Sequence, residues 1–74
     1  MGDLKLFCRL AVLMKEKDPG LTQIRLAEHT GIAPSTIGRL HNNRFTRVDK
    51  ATIERLCKYF QCNLEDLFDL RESA

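Results

Sequence analysis

Ser35, Thr36, Arg39, Asn42 and Asn43 are the side chains of this sequence best placed to do chemistry together. On a helix, positions 35 and 39, and 36 and 39, are neighbours at four- and three-residue spacing. They then form a polar ridge of hydroxyl, guanidinium and amide groups that holds no Asp or Glu. A solvated helix face ordinarily mixes both charge signs, so an acid-free ridge centred on arginine suits an anionic partner. Arg44, Thr46 and Arg47 follow directly, and their donors match phosphate oxygens, contacts that position a partner without reading it. Between 22 and 47 the basic residues are Arg25, Arg39, Arg44 and Arg47, against Glu28 alone. The net charge of +2 conceals this concentration. Residues 1–48 hold eight Lys/Arg to four Asp/Glu, hence +4, and residues 49–74 hold four to six, hence −2.

Other chemistries find less support. Cys8, Cys57 and Cys62 are odd in number and form no CxxC pair, and His29 and His41 sit at no zinc-ligand spacing to them. The cysteines read as free thiols packed as small hydrophobes. There is no glycine-rich phosphate loop and no believable Cys–His pair. The expectation is a protein with no catalytic residues, metal, cofactor or small-molecule ligand.

A chain of 74 residues builds one domain, 1–74, with one modest core. No apolar run approaches the length that spans a membrane, and Asp3, Lys5 and Arg9 interrupt any leader-like start, so a cytoplasmic location is expected. The periodicity reads as helical throughout. Asp3 would cap a first helix carrying Phe7, Leu10, Ala11 and Met14, ending before Asp18-Pro19-Gly20. Three further starts share one plan, a capping residue (Thr22, Asp49, Asn63) preceded by an apolar one (Leu21, Val48, Cys62). Each apolar residue lies five positions before another, the spacing of a hydrophobic staple. Pro34 opens one more helix at the position where its missing N–H costs nothing. Five helices follow, at about 3–17, 23–30, 34–43, 50–60 and 64–70, with no strand-like alternation: an all-α fold.

Helices two and three are joined only by Gly31-Ile32-Ala33. Gly31 can adopt positive φ, Ile32 returns an apolar side chain to the core, and so short a turn makes the helices cross steeply, as in a helix-turn-helix. Ile24 and Ala27 flank Leu26 on the first helix of the pair, and Ile37 and Leu40 give the second a narrow inward stripe. The segment resembles the phage-repressor (Cro/cI-like, XRE) family, whose pattern runs T-Q-x-x-L-A-x-x-x-G-[IV]-[ST]-x-x-x-[IL]. Thr22, Gln23, Leu26, Ala27, Gly31, Ile32 and Ile37 match it, and the five-helix order extends the likeness over nearly the whole chain. Ala33 departs from the usual Ser or Thr cap, and Gly38 stands where serine is common.

The resemblance implies a lambda-repressor-like five-helix fold that binds double-stranded DNA as a small Cro-like repressor, with helix 34–43 in the major groove. Ser35, Thr36 and Arg39 would then face base edges, where arginine can donate two bonds to guanine. Gln23, Asn42, Asn43, Arg44, Thr46 and Arg47 would hold the DNA backbone, while Phe45 anchors their loop to the core. Leu64, Leu67, Phe68 and Leu70 are too many apolar residues for one short terminal helix, which suggests a homodimer contact. The competing reading is a protein-interaction module of the same fold, an antitoxin, adaptor or co-regulator, which the acidic end and apolar last helix permit.

Overall fold

The computed structural model describes residues 3–73. Its elements in chain order are β1 (Asp3–Cys8), α1 (Leu10–Lys17), α2 (Gln23–Thr30), α3 (Pro34–His41), α4 (Lys50–Phe60), α5 (Leu64–Leu67) and β2 (Phe68–Ser73). The five expected helices are all present. The expectation of an all-α fold is corrected, because β1 and β2 pair as a two-stranded antiparallel ribbon.

The ribbon replaces the first half of the expected helix 3–17 and the second half of the expected helix 64–70. Its register pairs Leu4 with Glu72, Leu6 with Leu70 and Cys8 with Phe68 on one face, and Lys5 with Arg71 and Phe7 with Asp69 on the other. Leu4-Lys5-Leu6 and Phe68-Asp69-Leu70-Arg71 do alternate with period two, but over stretches too short to outweigh the helical spacing that continues from Phe7 into α1. Pairing with a segment some sixty residues away decides the matter, since each strand satisfies the other's backbone groups. Asp3 therefore caps no helix. α1 begins after Arg9, whose N–H donates to the Leu67 carbonyl at 2.7 Å and whose guanidinium donates to the Asp66 carbonyl at 2.9 Å.

The three staple residues lie where the spacing predicts. Leu21, Val48 and Cys62 are partly buried against the core, beneath the starts of α2, α4 and α5. Thr22 accepts the Arg25 N–H at 3.2 Å, and Asp66 accepts the Asn63 N–H at 3.0 Å. Asp49 caps differently, taking the Thr52 hydroxyl instead of a backbone N–H. The core is filled by α1 (Leu10, Leu13, Met14), the α2–α3 pair, Leu56 and Phe60 of α4, and Leu67, Phe68 and Cys8 where the ribbon joins the helices. Burying these side chains, each worth roughly 1.5–3 kcal/mol, is what holds the short helices in place.

Candidate nucleic-acid interface

Gly31 closes α2 in the left-handed conformation, φ 75°, with its N–H returned to the Ala27 carbonyl at 2.9 Å. A side chain is rarely tolerated there. The next residue, Ile32, is buried, and α3 starts at Pro34 with the Ala33 carbonyl accepting from Thr36 and Ile37. Leu26 and Ala27 face Ile37 and Leu40 through the core, so the two helices are locked by small and branched side chains at short range. Ile24 does not join them: it is 66% exposed, and with Ala27, Gly31, Ile32, Ala33 and Pro34 it lines a shallow apolar surface. It flanks Leu26 along α2 as expected, but only Leu26 and Ala27 of that helix are buried.

With Ile37 and Leu40 turned inward, the opposite side of α3 carries exposed Ser35 and Arg39 and half-buried Thr36. Thr36 and Arg39 then share one cleft with Arg44, Thr46 and Arg47 of the following loop, floored by Leu40, Phe45 and Val48. Phe45 is partly buried and meets Phe68 edge-on, 6.0 Å between ring centres, which anchors this loop to the core as expected. Arg44 is further fixed by its N–H on the Arg39 carbonyl at 2.8 Å. One carboxylate borders the cleft, Asp49, held below its ordinary range chiefly by the Thr52 hydroxyl that it accepts.

Some cations elsewhere are committed to the fold. Arg9, Lys17 and Arg55 donate to backbone carbonyls, and Arg71 pairs with Asp69. By contrast, the side chains of Ser35, Thr36, Arg39, Arg44, Thr46 and Arg47 make no hydrogen bond or ion pair among the described residues. Their donors are gathered, oriented and unspent.

The other expected contact residues divide. Gln23 is half-buried at the first position of α2 and lies over Gly38 of α3, where a Cβ would stand 3.6 Å from its Oε1. Asn42 is exposed at the end of α3, with its Oδ1 3.3 Å from His41 Nδ1. Asn43 is engaged within the fold. Its φ is 57°, its Oδ1 accepts the Cys8 N–H at 2.6 Å and its Nδ2 donates to the Cys8 carbonyl at 3.0 Å. That amide ties the loop to β1, a role invisible while residue 8 reads as helical.

The four expected dimer residues divide as well. Leu67 is fully buried and Phe68 nearly so, both within the protomer core, whereas Leu64 and Leu70 are 54% and 61% exposed. Lys5 was missed. It lines a groove with Asn43, Thr46 and Arg47, beside the arginine cleft, and only the Leu4-Lys5-Leu6 alternation signals its outward position.

Among the described residues no helix is long and apolar enough to cross a membrane, and no group of three or more His, Cys, Asp or Glu is gathered as for a metal ion. No curated protein matches the chain. The family model of the Cro/C1-type helix-turn-helix DNA-binding domain matches residues 9–73. With the Gly31 turn, the acid-free face of α3 and the arginine cleft beside it, the chain belongs to that family of DNA-binding domains.

Proposed function

We propose that the protein is a sequence-specific transcriptional regulator, a Cro-like repressor that sets α3 in the major groove of double-stranded DNA and acts as a homodimer. The observation that carries this reading is the uncommitted donor set along α3 and its following loop. Ser35, Thr36 and Arg39, on the helix itself, are the base readers. Arg44, Thr46 and Arg47, with Gln23 and Asn42, grip the phosphates on either side. Lys5 extends that grip from β1. Regulation follows from occupancy, as a domain seated on a promoter excludes polymerase. The reading assigns the protein no catalytic step.

Selection of duplexes from a random-sequence pool tests it, followed by fluorescence anisotropy on the selected site and a scrambled control. Wild type should enrich a motif whose half-sites repeat at about 10 base pairs or a multiple. Arg39→Ala should lose about 1–3 kcal/mol of discrimination between the selected and scrambled duplexes. Arg44→Ala and Arg47→Ala should instead weaken both duplexes alike and each lower the salt slope by about one. No enrichment together with no low-salt affinity would reject DNA reading and leave a protein partner as the better account.

A further inference from the structure

α4 ends in a turn that fixes where two of the three cysteines stand. Gln61 takes the left-handed conformation, φ 54° and ψ 50°, which is uncommon for a residue with a Cβ. Around it the Gln61 N–H donates to the Lys58 carbonyl at 3.3 Å, and the Cys62 N–H donates to the Cys57 carbonyl at 3.0 Å. These two bonds define the Schellman turn. Its usual companion is a contact between the side chains four positions before and one after the left-handed residue. Here both of those residues are cysteine. Any two apolar side chains would serve the packing, but two thiols add a chemistry.

The backbone itself keeps the pair close. A 3.0 Å bond from the amide of one to the carbonyl of the other limits their Cα atoms to about 7 Å for a straight path, and less for a bent one. Disulfides span about 4.4–6.8 Å between Cα atoms. Both thiols are free, and both side chains are half-buried against the core, so a small reagent can reach them. The Cys57 thiol is held above its ordinary range, first by burial and then by the Cys62 thiol beside it. Cys8, in β1, is only 1% exposed and is shielded from such a reagent.

We infer that Cys57 and Cys62 form a dithiol site that exchanges with small disulfides and closes to an intramolecular disulfide, clamping the end of α4 to the start of α5. The thiolate of one cysteine attacks a sulfur of the small disulfide and expels one small thiolate, leaving a mixed disulfide. The other cysteine attacks the protein sulfur of that adduct and expels the second. The two protons lost by the cysteines end on the two released thiols, so one small disulfide is reduced as the protein is oxidised. The fold favours the closing step, because the Schellman bonds already hold the two residues together. In the unfolded chain the same cysteines must lose chain entropy to meet. By linkage, a bridge that the fold favours in turn favours the fold. The clamp acts next to the Asn63 cap of α5, whose Leu67 is fully buried and whose Asp66 carbonyl holds the Arg9 guanidinium. It therefore reaches the point where the ribbon joins the helices. Neither cysteine lines the arginine cleft, so the site stands independently of DNA reading.

Equilibration of the full chain in mixtures of reduced and oxidised glutathione tests the site, read by mass spectrometry after acid quenching, unfolding and alkylation. Oxidised wild type should lose two hydrogens and keep a single alkylatable thiol, mapped to Cys8. The native chain should close the bridge in buffers about tenfold more reducing than the chain in urea requires. The bridged form should then melt about 5–10 °C above the reduced one. Cys57→Ser and Cys62→Ser should each carry only a glutathione adduct on the remaining cysteine of the pair and show no such rise. If a serine variant unfolds, the comparison of native and urea-unfolded wild type carries the test. The inference is overturned by wild type that collects glutathione adducts without bridging, bridges through Cys8, or bridges no more readily folded than in urea. A bridged form that melts below the reduced one also rejects the clamp, since the bond would then strain the turn.

Discussion

Gly38 stands in the middle of α3, where glycine costs roughly 0.5–1 kcal/mol relative to alanine. A Cβ there would meet Gln23 Oε1 at 3.6 Å, an ordinary contact, so nothing in the α2–α3 packing requires the glycine. Gly38→Ala should raise stability by about 0.5–1 kcal/mol, read as a higher urea midpoint at unchanged slope. Loss of duplex affinity in the same variant would assign the glycine to close approach of DNA, while a lower midpoint would refute the packing argument. Residue types told most about this scale. Arg39, Arg44 and Arg47 are exposed and uncommitted, as an acid-free ridge suggests. Asn43 shows the limit, because its chemistry suits phosphate equally well and only the position of Cys8 shows where its amide is spent.

At the scale of elements, Asn43 is the link between the DNA-facing loop and the ribbon. Its amide satisfies both backbone groups of Cys8, and its left-handed φ of 57° turns the chain out of α3. Asn43→Ala should cost about 1–3 kcal/mol, since it orphans a partly buried N–H and carbonyl. Asn43→Gly, free of the backbone strain, should lose less, and the difference between them isolates the conformational share. Low-salt duplex affinity of the folded variants should stay near wild type; a large drop with stability intact would return Asn43 to the phosphate contacts. The helix boundaries at Thr22, Pro34, Asp49 and Asn63 were legible because caps, staples and N1 proline act within a single turn. The strands were not, because their bonds run between residues at opposite ends of the sequence.

For the molecule as a whole, Cys8 ties the ribbon to the helical core. Burial pushes its thiol up from 9.0 to about 11. The unfolded chain then ionises first as the solution is made alkaline. Stability is fully present below about pH 9 and is lost as pH climbs through the folded value, because ionisation favours the unfolded state. Melting temperature should therefore fall between pH 9 and 11, and Cys8→Ala should flatten most of that fall. Cys57, raised in the same direction by burial and by Cys62, accounts for a remainder. A flat wild-type profile would place the Cys8 thiol in water. Local sequence by itself determined where α2, α3, α4 and α5 begin, the Gly31 turn, the inward stripe of Ile37 and Leu40 and the basic face left outside, because each rests on residues a few positions apart. Tertiary structure decided the rest. Whether Asp3–Cys8 and Phe68–Ser73 are helix or strand, whether Leu67 faces inward and Leu70 outward, and which amide meets Cys8 all depend on bringing the two ends of the chain together. Period-two and helical patterns coincide over so few residues, and the partner that chooses between them is some sixty positions away.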